Sequence, residues 1–318
     1  MKNKLNSYSY EISKNLKIII LFLFLFVHLF FKIIIKNDYN YLKVCLCTLG
    51  KGENKYAREF VQHYEKYGVD KIFLYDNNDI DGERFENVIK DYNDKGLLNI
   101  INWRGKKNQI YNIMNDCYKQ NYKKYDWLIF YEMDEFIHLT NYPNVKSFLN
   151  EYKFKNCKLI YLNSVCHTDN NLLYYENKSL FERFPEIVPN YKIGGQLLEV
   201  KFILKGHIPN IVINNMHLCN KALSNISNCN GFGNKDKIND RFSTEPDIKY
   251  YYIDHFYSKS TEEFINKINR GNPLIGPENY DFLRIEKYFQ QSNITKEKFD
   301  LIEKKTGYNL SNFKKMIS

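Results

Sequence analysis

The stretch YLKVCLCTLGKGENKYAREFVQHYEKYGVDKIFLYD, Tyr41 to Asp76, changes its hydrophobic period twice. Tyr41 to Leu49 is rich in β-formers and stops at Gly50 and Gly52, which reads as a strand followed by a turn. From Glu53 onward Tyr56, Phe60, Tyr64 and Tyr67 recur at helical spacing, and Gly68 closes the helix. Lys71 to Asp76 returns to strand character and ends in the turn-formers NNDIDG. A strand, a helix and a strand in so short a span predict a parallel βαβ unit.

The same alternation continues outward. Glu83–Asn93 reads as a helix, Leu97–Trp103 as a strand, and Gln109–Tyr122 as a helix with Ile110, Ile113, Met114 and Cys117 inward. Asp126–Glu132 and Lys158–Asn163 supply further strands. The expected fold is α/β, a mostly parallel sheet flanked by helices, and ligands of such sheets bind outside the carboxyl ends of the strands. Thr48, Asp76 and the acids Glu132 and Asp134 fall at those ends. The second half is less regular, with expected strands at Val200–Leu204 and Asn210–Ile213. Lys249–Gly271 reads as strand, turn and helix, with Ser260 and Glu263 forming a capping box. A last helix runs from a Thr295 cap to Gly307, so that one catalytic-size domain spans 41–310.

The amino terminus is different in kind. KIIILFLFLFVHLFFKIIIK, Lys17 to Lys36, is apolar except for His28 and Lys32 between its end lysines, close to the roughly 20 residues that span a bilayer core. The first alanine is Ala57, so no small-residue cleavage site follows. Lysines are denser before the span than after it, which favours a cytoplasmic tail over 1–17 and a transmembrane signal anchor over 18–36. That is a single-pass type II arrangement, in the Golgi and secretory pathway or, for a bacterial host, an inner or surface membrane. Four Asn-x-Ser/Thr sequons carry little weight in so Asn-rich a chain.

The formal charge of +9 over 318 residues would suit an anionic partner such as a nucleotide diphosphate or a lipid surface, but a drifted Lys-rich surface is the plainer reading. No dense basic block with interleaved aromatics occurs, so nucleic acid is not an expected partner. Seven scattered cysteines form no C-x-x-C pair. Cys45 and Cys47 read as core hydrophobes, and Cys219 with Cys229 is a candidate local disulfide. The Gly-rich fingerprints of dinucleotide enzymes and phosphate-loop NTPases are absent, and the lack of a Gly-rich loop after the first strand also speaks against a methyltransferase.

The chemistry concentrates in YDWLIFYEMDEFIHL, Tyr125 to Leu139, where Glu132, Asp134 and Glu135 end an apolar run. Carboxylates there need a metal ion, a basic side chain or water as compensation. In an extended segment Glu132 and Asp134 share a face, and such hard oxygen ligands suit Mg²⁺ or Mn²⁺ partly held by substrate phosphates. Two solvated acids at a turn fit the spacing equally well.

TLGKGENKYAREFVQHYEKYGVDKIFLYDNNDIDG, followed by INW, QIYNIMNDCY and WLIFYEMDEFI, resembles glycosyltransferase family 92 and the family-2-like enzymes. The resemblance continues through HTDNNLLYYENKSLFERF, VKFILKGHI and YIDHFYSKSTEEFINKINRG, from Leu42 to about Gly307. It implies a GT-A fold and a hexosyltransferase that moves a sugar from a nucleotide-sugar donor, UDP-linked, to a glycan acceptor on protein or lipid. It also implies Mn²⁺ or Mg²⁺ as cofactor, held by Asp134 and by the late His255. Glu132 stands where the family's D-x-D-E-F motif has its first aspartate, which leaves its contact to ribose or metal open. The resemblance sets Asp76 at the base or ribose, Glu53 and Gln109 along the nucleotide cleft, and Asp169 as the acceptor base with Glu199 as fallback. Each has a plainer reading: Asx-turns for Asp76 and Asp169, a helix-start acid for Glu53, an exposed Gln109, a half-buried core His255. His217 competes with His255 as metal ligand, and Lys201 and Lys205, alternating on one strand face, are expected on a solvated face, with diphosphate contact as the alternative. A relative that binds sugar nucleotides or glycans without transferring them is the alternative to an enzyme.

Overall fold

A computed structural model describes residues 22–26, 42–189, 198–217, 227–235, 238–239, 242–243, 248–271 and 277–316. The chain divides into two units, 1–42 and Lys43–Ser318. In the first, residues 22–26 form a short helical piece with exposed side chains. The rest of the expected tail (1–17) and anchor (18–36) lies outside the described residues, among which no helix is long and apolar enough to cross a membrane.

The second unit begins as the sequence predicts. Strand β1 (Val44–Gly50) leads through α1 (Asn54–Lys66) to β2 (Lys71–Asp76), then α2 (Glu86–Asp94), β3 (Leu98–Asn102), α3 (Ile110–Asn121) and β4 (Trp127–Phe130). Helix α1 buries Tyr56, Ala57, Phe60, Val61 and Tyr64, the stripe set by its period, and ends at Tyr67 with Gly68 at φ +73°. β1 lies between β2 and β4, parallel to both, and β3 joins the far side of β2 in parallel.

Beyond β4 the chain runs through β5 (Glu135–Leu139), α4 (Val145–Leu149), β6 (Leu159–Cys166), α5 (Leu180–Arg183), β7 (Leu198–Lys205), β8 (Asn228–Asn230), β9 (Ile238–Asn239), β10 (Phe242–Ser243) and β11 (Tyr251–His255). Helices α6 (Thr261–Asn269), α7 (Pro277–Gln291) and α8 (Lys296–Thr306) follow. The main sheet order is β3-β2-β1-β4-β7-β6-β11-β5. β7 is antiparallel to β4 and β6, and β5 is antiparallel to β11. The sheet is therefore mixed, which corrects the mostly parallel expectation. The physical reason is in the connections. Parallel neighbours need a crossover of a dozen or so residues, and α1 to α3 provide it up to β4. Between β4 and β11 the described helices are α4, of five residues, and α5, of four. The expected strand at Asn210–Ile213 is a loop, entered through Asn210 in a left-handed conformation.

The caps agree with the sequence. Ser260 and Glu263 form the capping box of α6, and Thr295 caps α8, which stops at Gly307. One apolar cluster packs α3 against the sheet through Ile110, Ile113, Met114, Phe130 and Phe202. Another joins α6, α7 and α8 through Phe264, Tyr288, Phe289 and Phe299.

The cysteines pair differently from expectation. Cys47 on β1 is bonded to Cys117 on α3, and Cys157 to Cys229 on β8. Cys229 is thus not the partner of Cys219, which lies outside the described residues. Cys45 and Cys166 are free and buried. A peptide map without reduction should join Cys47 to Cys117 and Cys157 to Cys229. Closing loops of 70 and 72 residues, the bonds should each contribute about 2–4 kcal/mol, read as the loss in urea unfolding of Cys117→Ser and Cys229→Ser.

Candidate active site

The acids occupy a turn at the carboxyl end of β4. The backbone N–H of Glu135 donates to the Glu132 carbonyl (3.0 Å), so the chain folds back at Met133 and Asp134 instead of continuing extended. Glu132 and Asp134 therefore do not share a strand face. Met133 is buried under the turn, against Gly50 at the end of β1. A Cβ on Gly50 would overlap the Met133 sulfur and the Phe85 ring, so this close approach requires glycine.

Compensation comes from lysines. Asp134, 3% exposed, receives Lys259 Nζ (3.1 Å) and Lys267 Nζ (2.9 Å) on the same oxygen, Oδ2. Lys201 Nζ lies 2.8 Å from Glu132 Oε2 and 2.9 Å from Glu135 Oε1. Lys201 is 2% exposed, which overturns its expected place on a solvated strand face. It stands on β7, which the sheet order sets directly beside β4. Burial alone would raise the Asp134 carboxyl, but Lys259 and Lys267 hold it well below the usual carboxylate range. Glu132 is lowered in the same way: burial opposes ionisation, and Lys201 outweighs it. Glu135, fully buried, is pushed up to about 8, desolvation prevailing over Lys201.

His255 ends β11, opposite Glu135 in the β5 register. Its Nε2 lies 3.6 Å from Asp134 Oδ1, and its Nδ1 meets Ser164 Oγ at 3.3 Å. Desolvation pushes the imidazole down to about 3, so it is neutral near physiological pH, the form that binds metals. His217, the competitor, bonds through Nδ1 to the Val200 carbonyl (3.0 Å). Among the described residues no group of three His, Cys, Asp or Glu is arranged to hold a metal ion. The donors fit a divalent cation in a limited way: Asp134 Oδ1 and His255 Nε2 face one another, and the remaining ligands would have to be phosphate oxygens or water.

The other expected site residues are engaged nearby. Asp76 Oδ2 accepts from Arg104 (2.6 Å), and Oδ1 from the Asn78 backbone N–H (3.0 Å) and side-chain amide (2.7 Å). That is the Asx-turn reading, reinforced by a buried cation that also binds the carbonyls of Asp79, Gly82 and Glu83. Glu53 pairs with Arg270 (3.1 Å), which ties the loop after β1 to the end of α6. Gln109 caps no helix N–H; its Oε1 accepts from Asn112 (3.0 Å) and from the Trp103 indole (3.3 Å). Glu199 pairs with Lys287 (3.1 Å).

Asp169, expected as acceptor base, is 1% exposed. Its Oδ2 accepts from Lys298 Nζ (2.7 Å) and the Tyr288 hydroxyl (2.8 Å), while Oδ1 accepts from the Asn171 N–H (3.1 Å). These partners make it an anchor between the loop after β6 and helices α7 and α8.

The model of the family described as glycosyltransferase family 92 matches residues 40–280. The chain belongs to glycosyltransferase family 92. A family 92 protein of Oryza sativa subsp. japonica is 27% identical over 127 residues, 39% of this chain and 21% of that protein. One of Ricinus communis is 26% identical over 128 residues, 40% of this chain and 22% of that protein. The chain thus matches about a fifth of the length of each relative. Among solved structures it is similar to S. aureus TarS 1-349, at 13% identity and a TM-score of 0.37, covering 86% of this chain and 73% of that one. The same protein in complex with UDP-GlcNAc gives 12% identity and a TM-score of 0.36, over 78% and 71%. At those scores the likeness carries nothing about the site. The family 92 match stops at residue 280, before Tyr288 and Lys298.

Lys201, Lys259 and Lys267 were not expected as partners of the acids. Their separations from them, 69 positions for Glu132 and 125 and 133 for Asp134, leave no local signal, although Lys259 stood within the YIDHFYSKS motif. Lys201→Met should cost about 1–3 kcal/mol in urea unfolding, because the fully buried Glu135 would lose its polar partner and Glu132 its cation. Asp169→Ala should cost about 3–5 kcal/mol by stranding Lys298; an unchanged midpoint with lost transfer would instead restore Asp169 as the base.

Proposed function

We propose that this family 92 chain is a hexosyltransferase that moves a sugar from a nucleotide sugar, UDP-linked, to a glycan acceptor on protein or lipid. The observation that carries the reading is Asp134: a buried, ionised carboxylate at the carboxyl edge of the parallel half of the sheet, facing a neutral His255, within the matched region. Asp134 and His255 would hold Mn²⁺ or Mg²⁺, which when bound supplies Lewis-acid neutralisation of the leaving nucleoside diphosphate. Lys259 and Lys267 keep Asp134 ionised and fix its carboxylate plane, and Ser164 orients the imidazole. Glu53, Asp76 and Gln109 act through their partners, ordering the loops after β1, β2 and β3 along the nucleotide side of the cleft. The two disulfides suit an oxidising compartment, consistent with an anchor over 18–36 and a catalytic domain on the far side of a secretory-pathway membrane.

A second reading, a relative that binds nucleotide sugars or glycans without transfer, draws on Glu132 in the motif's first position and on the full pairing of Asp169 and Glu199. One experiment separates the two. The full chain should release UDP from UDP-galactose, UDP-glucose or UDP-N-acetylglucosamine with Mn²⁺ present. Asp134→Asn should lower that turnover on the order of 100-fold or more per folded molecule, beyond the fall in melting temperature that leaving Lys259 and Lys267 without their carboxylate brings. Binding of a donor with no turnover on any acceptor panel would leave the second reading.

A further inference from the structure

A groove of about 520 Å³ runs along one face of α8, open to solvent and lined by Tyr174, Lys296, Glu297, Asp300, Leu301 and Lys304. Its volume falls within the range of small-molecule sites. The spacing 296, 297, 300, 301, 304 puts the five α8 residues on a single helix face, and Tyr174 comes from the loop after β6. Helix α8 lies beyond the residues matched to family 92. Strand β6 runs parallel to β11, so the loop that follows it leaves the sheet at the edge that carries His255. The Leu172 and Leu173 carbonyls of that loop accept from the Thr261 and Glu262 N–H groups (3.0 and 2.9 Å), at the start of the helix that directly follows Lys259 and Ser260.

Both walls of the groove are fixed. Lys298, buried on the inner side of α8, donates to Asp169 Oδ2 (2.7 Å) and Asn171 Oδ1 (3.1 Å), which bolts the helix to the start of the loop. On the other side of Tyr174 the Tyr175 N–H donates to Glu262 Oε2 (3.0 Å). The Tyr175 ring meets Lys55 Nζ at 4.2 Å and the Arg183 guanidinium at 4.9 Å. The backbone is thus held before and after Tyr174, while the Tyr174 ring itself is 58% exposed. A ring presented from a fixed backbone loses little further freedom when a ligand covers it.

The polar lining is of one kind with that ring. Asp300 stands one helical turn from Lys296 and from Lys304, the spacing at which surface ion pairs form, yet among the described residues no ion pair joins them. Glu297 is likewise unpaired there. The groove therefore offers free carboxylate acceptors and free ammonium donors beside an aromatic face, and the two acids balance the two lysines. A polyanion gains nothing from a lining of zero net charge. A pyranose fits it: its C–H face can lie on the negative face of a ring, and its hydroxyls both donate and accept.

We propose that the groove between Tyr174 and α8 binds a neutral glycan, the portion of the acceptor beyond its reacting sugar. Tyr174 stacks on one pyranose face, and Glu297 and Asp300 accept from its hydroxyls. The proposal deepens the proposed function and rests on it for the identity of the glycan as acceptor. It also gives the buried Asp169–Lys298 pair a consequence, since that pair sets one wall of the groove against the other.

The test is ligand-observed NMR titration of the full chain with lactose, N,N′-diacetylchitobiose, cellotriose and mannotriose, with 3′-sialyllactose as acidic probe and UDP as donor probe. At least one neutral oligosaccharide should bind the wild type. Tyr174→Ala should weaken it about tenfold or more, and Tyr174→Trp should retain it. Joint replacement Glu297→Ala and Asp300→Ala should weaken it about fivefold or more. Tyr152→Ala, at a tyrosine 83% exposed outside the groove, should leave it unchanged. No binding by any neutral probe would overturn the proposal, as would an affinity that Tyr174→Ala does not move. Tighter binding of 3′-sialyllactose than of lactose would overturn the neutral assignment. A parallel loss of UDP affinity in Tyr174→Ala would overturn it too, marking a donor contact or damage to the fold. Each of these leaves the nucleotide-sugar reading standing while the wild type binds UDP. A wild type that binds oligosaccharide through Tyr174, and UDP neither with nor without Mn²⁺, would keep the groove as a glycan site and sink the transferase reading.

Discussion

The site depends on three carboxylates being kept in a place that solvent barely reaches. Glu135 is fully buried, Asp134 nearly so, and they follow directly on an apolar strand. A buried carboxylate without a cation would protonate or unfold its surroundings. The fold answers with three lysines on elements remote in sequence, so the charge pairs also act as tertiary ties. Lys201 fastens the β4–β5 turn to β7, while Lys259 and Lys267 fasten it to the start and end of α6. Replacing such pairs with apolar residues can be neutral for stability, whereas removing one member is costly. The arrangement therefore says more about a required charge pattern than about a need for stability.

That pattern is polar in the directional sense. Acids lie on the turn between β4 and β5, and cations come mainly from the segment after β11. Arg270 extends the cationic side across to Glu53 and the Lys51 carbonyl, in the loop that follows β1. Buried networks reach further inward: Glu263, which caps α6, also receives Arg183 (2.7 Å) and the Tyr56 hydroxyl, joining α1, α5 and α6. Helix α6 is consequently held at its beginning by a capping box and an ion pair, and at its end by Arg270. A helix with one inward lysine in its last turn, and a second fixed just before its cap, holds its charges in place with less reorganisation than a loop would.

Much of this was legible in the sequence, and the divide has a physical cause. The βαβ run from Val44 to Phe130 was readable because strand and helix periods are local, as were the Ser260–Glu263 box, the Thr295 cap and the stops at Gly68 and Gly307. The candidate acids were readable because their position at a strand end is local too. Antiparallel insertion of β7 was not, since it depends on how short the helices are among the described residues between β4 and β7. The lysine partners and the Cys47–Cys117 and Cys157–Cys229 bonds were hidden for the same reason: each is a contact across many tens of residues. Asp76 and Asp169 show the converse. Both satisfy the plain Asx-turn reading, and the functional reading of each depends on cations, Arg104 and Lys298, that no local pattern reveals.

The turn geometry also accounts for Glu132, the residue that departs from the motif. On a strand the two outer acids of the motif would point together and compete for one cation. Folded into a turn, they diverge: Asp134 goes inward to His255, Lys259 and Lys267, and Glu132 stays at the rim with 34% of its side chain exposed. From the rim it must reach Lys201 on β7, and its carboxylate does so at 2.8 Å. An aspartate at that position, one methylene shorter, would reach less far and leave Lys201 leaning on the wholly buried Glu135. The substitution therefore preserves a charge pair of its own and does not subtract from Asp134. On this geometry the two acids of the motif are separate devices, one paired with Lys201 and the other facing His255, Lys259 and Lys267.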